Sequence, residues 1–354
     1  MDERIWANGN QAVGWGAVSA GCLHFYGYPI TPQNEVTEWF AAELPKRGGS
    51  FCQGESEWSV AAMLFGSSGC GVRSITSTSG PGWGLMQEVL SGFAAAEVPG
   101  VIVNIQRGGP GQGTTLHAQT DYLSATRGGH GGYKSFVLAP NSVQEICDFV
   151  QWAFYLSEKY RVLAIVLADA IIGQMAEPLA VKTLDFGSLP EKTWATTTMQ
   201  GKRPLRQIIP GWVIKPYVTG MAEFQEKYKR MQSEVKYEAI RVDDAELVLV
   251  AFGYPSRVCM DVVEMAREEG LKVGLLRPIT LWPFPAEVLH KKASQKGVKF
   301  LVVEDNLGQM IDDVNLAVLG KAPVHHLGVT SRHLPTGSGM ILPARVLEEV
   351  KKLI

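Results

Sequence analysis

Short runs of almost purely apolar, β-branched residues recur along the chain, each followed by a segment with helical spacing. Val72–Thr78, Val101–Ile105, Phe136–Leu138 and Val162–Leu167 read as strands, and Trp58–Gly66, Leu85–Ala95 and Val143–Leu156 read as helices. A strand that is apolar on both sides has no face to offer to water. The alternation therefore predicts an α/β fold whose parallel sheet is covered by helices on both faces. In such sheets ligands bind beyond the carboxyl ends of the strands. Three unusual stretches fall at those ends: Tyr28–Pro32, Thr78–Gly82 and Arg107–Gly113.

The N-terminal part fits the same pattern. Residues 9–20 read as a helix of small residues, 22–28 as a strand and Pro32–Leu44 as a helix. Ser79–Gly82, His117–Tyr122 and Gly128–Gly132 read as loops. The alternation decays after Glu177, where Pro178, Pro190, Pro204, Pro210 and Pro216 are spread among polar and aromatic residues around one charged helix near 221–234. It resumes at Glu246 and continues to a closing helix at Arg345–Leu353. A chain of 354 residues accommodates two cores. The expected division is a first domain at 1–185, a connector at 186–243 and a second α/β domain at 244–354.

Composition narrows the function. A net charge of −2 offers no electrostatic case for nucleic acid. The five cysteines are scattered without a C-x-x-C, which removes the local zinc and iron–sulfur signatures, and Cys22 and Cys70 are expected to be buried free thiols. The longest apolar run, Val162–Gly173, contains Asp169 and is shorter than the roughly 20 residues a membrane helix needs. A soluble, cytoplasmic protein without membrane contact is expected. The run Gly108-Gly109-Pro110-Gly111-Gln112-Gly113 suggests a phosphate loop, but no clear helix follows it, so the dinucleotide fingerprint is not met. No P-loop, nucleophile elbow or H-E-x-x-H is present.

Three side chains stand out. Proline fixes its own φ and pushes the preceding residue out of the α region, so Thr31, ahead of Pro32, is either a plain turn residue or a rigidly presented hydroxyl. Glu57 opens an apolar helix. It is either a solvated first-turn acid favoured by the helix dipole or a buried carboxylate, with Glu55 as local competitor. Arg107 ends an apolar strand ahead of a glycine run. It is either a surface residue or a guanidinium placed for bidentate capture of a carboxylate.

Taken together, Gly27-Tyr28-Pro29-Ile30-Thr31-Pro32, Thr78-Ser79-Gly80-Pro81-Gly82, Gln106-Arg107-Gly108-Gly109-Pro110, Gly128-Gly129-His130-Gly131 and Leu275-Leu276-Arg277-Pro278-Ile279-Thr280-Leu281-Trp282-Pro283 resemble the alpha subunit of 2-oxoacid:ferredoxin oxidoreductases. Pro32-Gln33-Asn34-Glu35 is most similar to the branched-chain, 2-oxoisovalerate type. The resemblance implies a pyrimidine-binding domain for thiamine diphosphate followed by a smaller transketolase C-terminal-like domain. It implies oxidative decarboxylation of a 2-oxoacid to an acyl-coenzyme A. It also implies a beta subunit that supplies the diphosphate and Mg²⁺ site, a gamma subunit, and a ferredoxin-like subunit carrying iron–sulfur clusters. Electrons would leave to soluble ferredoxin or a similar acceptor. Glu57 matches the position of the carboxylate that activates the cofactor, and Thr31 and Arg107 match those that bind the oxoacid. Tyr28, Pro29, Thr78, Ser79 and Gly80 fall in the cofactor-binding strings, and no metal ligand is expected in this chain.

The chain departs from the family pattern at Gln11, at Glu304-Asp305-Asn306 and at Thr336-Gly337-Ser338-Gly339. Three rivals remain: a docking subunit without chemistry, a 2-oxoglutarate-specific enzyme, and a self-sufficient transketolase-like enzyme. The last is disfavoured because no G-D-G with a downstream Asn is present.

Overall fold

The apolar runs become the inner strands of two mainly parallel sheets. The computed structural model describes residues 4–196, 208, 210, 213, 215–329 and 339–354. Its first part runs β1 (Arg4–Asn8), α1 (Gly9–Ser19), β2 (His24–Gly27), α2 (Asn34–Glu43), β3 (Ser50–Gln53), α3 (Glu57–Gly69), β4 (Ser74–Thr78) and α4 (Gly80–Ala96). It continues through β5 (Gly100–Gln106), α5 (Tyr122–Arg127), β6 (Phe136–Leu138), α6 (Val143–Tyr160), β7 (Leu163–Asp169), α7 (Ala170–Gln174) and β8 (Ala176–Ala180). The second part holds α8 (Tyr217–Met231), β9 (Tyr237–Ile240), β10 (Leu247–Val250), α9 (Gly253–Glu268), β11 (Val273–Pro278), β12 (Thr280–Trp282), α10 (Ala286–Ala293), β13 (Lys299–Val303), α11 (Met310–Val318), β14 (Val324–Leu327) and α12 (Pro343–Leu353).

The larger sheet has seven strands in the order β12-β6-β7-β5-β4-β2-β3. All its pairs are parallel except β12 with β6. Every residue of β4, β5 and β7 is buried, as strands covered on both faces require. The second sheet has the order β14-β13-β10-β11-β9, with β9 antiparallel to β11. β12 lies within the stretch 244–354 yet is an edge strand of the first sheet. β9 lies within the stretch read as a connector yet is an edge strand of the second. Of that stretch, residues 197–207 (including Pro204), 209, 211, 212 and 214 lie outside the described residues, as do Thr336, Gly337 and Ser338.

The structure corrects several local readings. Ser79–Gly82 is not a loop: Ser79 is the N-cap of α4, and Gly80-Pro81-Gly82 is its first turn. Proline is well suited there, where its missing N–H has no helical partner. Tyr122, read as the end of a loop, is the first residue of the helix α5, which fills the stretch between the two loop readings. Cys22 is buried, and burial pushes its thiol up to about 12. Cys70, by contrast, is exposed. Trp58, at the start of that apolar helix, is 53% exposed. No helix among the described residues is long and apolar enough to cross a membrane.

Candidate active site

β5, β4 and β2 are consecutive in the first sheet, so their carboxyl ends lie side by side. The chain leaves β2 through Tyr28 and Pro29 to Thr31. It leaves β4 at Thr78 and turns directly into α4, and it leaves β5 at Gln106 into Arg107. α3, which follows the edge strand β3, brings Glu57 to the same end.

Glu57 is the first residue of α3, and a reciprocal cap fixes its entry. The Ser59 amide donates to Ser56 Oγ at 3.3 Å, and the Ser56 amide donates to Ser59 Oγ at 3.1 Å. This turn leaves Glu55 exposed and buries Glu57, which is only 4% exposed. The Glu57 carboxylate lies against α4. A Cβ on Gly82 would overlap both Glu57 Oε1 and Thr78 Oγ1, so only glycine lets the acid and the hydroxyl meet there. No donor among the described residues bonds the Glu57 carboxylate. The buried hydroxyls of Thr78 and Ser79 are also without partners. Buried polar groups in folded proteins are nearly always satisfied, so a cluster of unsatisfied ones is a place prepared for a ligand. The cluster is a carboxylate and two hydroxyls around the start of a helix. It fits the polar edge of an aminopyrimidine, which both donates and accepts hydrogen bonds.

Arg107 is 6% exposed. Its Nη1 donates to the Thr31 carbonyl at 2.8 Å, and its Nη2 donates to the Gln112 carbonyl at 3.0 Å. Its Nε is buried without a partner, and a Cβ on Gly80 would stand 2.9 Å from it. Gly80 has φ +44°, a conformation that also favours glycine. Among the described residues no carboxylate pairs with Arg107. A buried guanidinium whose hydrogen bonds go to neutral carbonyls has charge left over for an anion. Nearby, Asp121 accepts from Asn104 Nδ2 at 3.0 Å. Burial pushes its carboxyl up to about 6, against the opposing pull of Asn104, the Gly80 amide and the Arg107 charge.

The structure thus brings Thr31, Glu57, Thr78, Ser79, Gly80 and Arg107 to one end of the sheet. Tyr28 is half-buried and contributes its carbonyl to Gln33 Nε2 at 3.1 Å, while Pro29 is exposed. His130 lies apart, exposed, with its Nε2 3.0 Å from Glu88.

One pair escaped the sequence. His117 Nδ1 lies 2.6 Å from Asp305 Oδ2, both side chains are buried, and His117 Nε2 has no partner. The two residues are 188 positions apart, and although Glu304-Asp305-Asn306 stands out as a departure from the family pattern, nothing in the sequence joins it to His117. They line a cavity of about 650 Å³ together with Gly80, Pro81 and Gly108.

Comparison with known proteins gives a consistent picture. Residues 15–245 match the thiamine diphosphate-binding domain described as pyruvate flavodoxin/ferredoxin oxidoreductase, and residues 245–333 match pyruvate:ferredoxin oxidoreductase core domain II. The ketoisovalerate oxidoreductase subunit VorB of Methanothermobacter marburgensis is 44% identical over 315 residues, covering 87% of this chain and 88% of the relative. The 2-oxoglutarate synthase subunit KorA of the same organism is 36% identical over 363 residues, covering 92% of this chain and 94% of the relative. Among solved structures, 2-oxoglutarate:ferredoxin oxidoreductase from Magnetococcus marinus superposes with a TM-score of 0.83 at 27% identity. The match covers 99% of this chain, which spans 65% of the length of that one. A split-gene transketolase shares the fold, with a TM-score of 0.59 at 12% identity over 97% of this chain and 96% of the other.

Proposed function

Because this chain belongs to the 2-oxoacid:ferredoxin oxidoreductases, we propose that it is the alpha subunit of a thiamine diphosphate-dependent enzyme of that family, acting on a branched-chain 2-oxoacid. The net reaction takes a 2-oxoacid, coenzyme A and two oxidised one-electron carriers to acyl-coenzyme A, carbon dioxide, a proton and two reduced carriers. One observation carries the reading. Glu57, buried and without a hydrogen-bond donor among the described residues, and Arg107, buried and without an ion-pair partner among them, flank the first turn of α4 at one end of the sheet, with the buried hydroxyls of Thr78 and Ser79 beside the carboxylate. The greater identity to VorB than to KorA supports the branched-chain assignment.

Bound thiamine diphosphate supplies the carbon nucleophile and the electron sink that decarboxylation requires. Glu57 holds a proton at its carboxyl oxygen against the ring nitrogen of the pyrimidine, and Gly82 leaves the space for that contact. Thr78 and Ser79 offer hydroxyls to the same ring. Arg107 receives the carboxylate of the oxoacid, and the Thr31 hydroxyl meets its carbonyl oxygen. Both are fixed before substrate arrives, since Arg107 is already anchored on the Thr31 carbonyl. The diphosphate and its Mg²⁺ belong to a beta subunit. Iron–sulfur clusters lie in further subunits, including a ferredoxin-like one beside a gamma subunit.

The test is reconstitution with the beta subunit and the cluster-bearing partners, followed by viologen dye reduction with a panel of 2-oxoacids plus coenzyme A. Turnover preferring 2-oxoisovalerate, and lost in Glu57→Gln, is expected. A Glu57→Gln complex with full decarboxylation, or a complex whose rate is indifferent to Arg107, would favour a docking subunit without chemistry. A preference for 2-oxoglutarate would move the substrate alone.

A further inference from the structure

We infer that Asp305, on the second unit, is a positioning residue for Arg107, acting through the imidazole of His117. The inference rests on the reading of Arg107 as the carboxylate-binding group.

Both ends of Arg107 are held by the loop that follows it. Its guanidinium donates to the Gln112 carbonyl at 3.0 Å, and its own carbonyl accepts from Thr120 Oγ1 at 2.7 Å. Its backbone forms an antiparallel bridge with His117, and next to it the Gly108 amide donates to the Leu116 carbonyl at 3.1 Å. Residues 108–116 contain no helix or strand and four glycines, and one internal backbone bond, from the Thr114 amide to the Gly108 carbonyl at 2.8 Å, so the leg has no regular structure of its own to hold Arg107.

The returning leg is restricted from outside. Asp305 takes His117 Nδ1 at 2.6 Å on its carboxylate, and its carbonyl accepts from the Gln119 amide at 2.8 Å. Asn306 Nδ2 donates to the Gln119 carbonyl at 2.8 Å, and Gln309 Nε2 to the Thr120 carbonyl at 2.9 Å. Of these contacts, the His117–Asp305 pair is the one made by the residue in register with Arg107. The Asp305 side chain is 2% exposed, so the pair is shielded from water and a geometric change there is not absorbed by solvent.

The experiment uses the reconstituted complex and measures kcat and KM for the 2-oxoacid. Asp305→Ala is expected to raise KM about ten-fold while kcat stays within about two-fold, because the substrate's carboxylate is met by a displaced guanidinium. Asp305→Asn, which still accepts from Nδ1–H, should restore most of the loss. His117→Gln should raise KM like Asp305→Ala, and no further when combined with it; this variant decides the matter if Asp305→Ala does not assemble. Tyr122→Phe is the control. It removes another hydrogen bond between the units, Tyr122 to Asp313 at 2.6 Å, and should leave KM unchanged. Arg107→Lys in the same assay separates the two failures. If it raises KM while Asp305→Ala and His117→Gln do not, or if Tyr122→Phe raises KM as much as they do, the positioning role is overturned alone. If Arg107→Lys leaves KM unchanged, both readings fall.

Discussion

Glu57 and Gly82 meet at the start of α4 with no room for a methyl group between them. The contact joins residues from two helices that follow different strands, and it determines where the acid can stand. Gly82→Ala must therefore displace either the Glu57 carboxylate or the helix. The substitution is compatible with helical geometry, so the loss is expected to appear as function rather than as unfolding. Binding of thiamine diphosphate to the reconstituted complex, followed by calorimetry, should weaken by at least about ten-fold. A Gly82→Ala complex with unaltered cofactor affinity would mean that the contact has no role in the site.

Glu57→Gln keeps the shape and removes the acid. Carbon dioxide release should fall by roughly 10²–10⁴-fold, the range that positioned proton transfer contributes. Thermal unfolding should shift little, because no hydrogen bond among the described residues depends on that carboxylate.

Arg107→Lys retains a positive charge but cannot fork to two carbonyls and an incoming carboxylate at once. KM for the oxoacid is expected to rise by roughly 10²-fold. Steady-state rates across an oxoacid concentration series read this directly, and an unchanged KM would remove Arg107 from the substrate.

Asp169 makes a prediction about pH. It caps α7, accepting from the Ile172 amide at 3.0 Å and from the Tyr254 amide of the second unit at 2.8 Å. Burial nevertheless raises its carboxyl from 3.8 to about 6. The folded state thus holds a proton that the unfolded chain releases, and stability falls as pH rises from 3.8 to about 6. Asp169→Asn removes the titrating carboxyl, but it can accept only one of the two amides, because its Nδ2 then faces the other donor. Whatever its absolute stability, the variant should lack the fall of roughly 1–3 kcal/mol that the unaltered chain shows between pH 3.8 and about 6. Chemical denaturation at pH 4.5 and 7 tests the sign.

Arg277 ties the two units together. It is 2% exposed and forks onto Glu145 of α6, with Nη1 to Glu145 Oε1 at 3.0 Å, to Glu238 Oε2 at 3.3 Å, and Nη2 to the Ala139 carbonyl at 3.2 Å. Arg277→Ala removes a donor from two carboxylates and from the buried Ala139 carbonyl. A cost of about 2–4 kcal/mol is expected in urea unfolding. Glu145 and Glu238 retain some exposure, which places the effect below that of a fully buried pair.

What could be read from the residues follows a physical division. β4, β5 and β7 were legible because strands covered on both faces have to be apolar throughout, and the strand-end location of Thr31, Thr78 and Arg107 follows from that. β9 and β12 were not, because Tyr237–Ile240 and Thr280–Trp282 are short edge strands whose mixed residues resemble any loop. The start of α4 was misread because Gly80-Pro81-Gly82 carries turn chemistry, and only the capping position of Ser79 distinguishes a first turn from a bend. Glu57 against Glu55 was ambiguous by spacing; the Ser56–Ser59 cap decides which of the two turns inward. The His117–Asp305 pair joins loops of different units and leaves no local trace.

The antiparallel edge strand Thr280–Trp282 has a consequence for how the protein is made. It covers β6, which would otherwise end the first sheet with an open row of backbone donors and acceptors. During synthesis, residues up to about 180 can leave the ribosome and collapse, but their sheet stays open on that side until the polypeptide has advanced another hundred residues or so. For that interval the nascent chain carries a sticky border, and a truncation ending before Thr280 would carry it permanently.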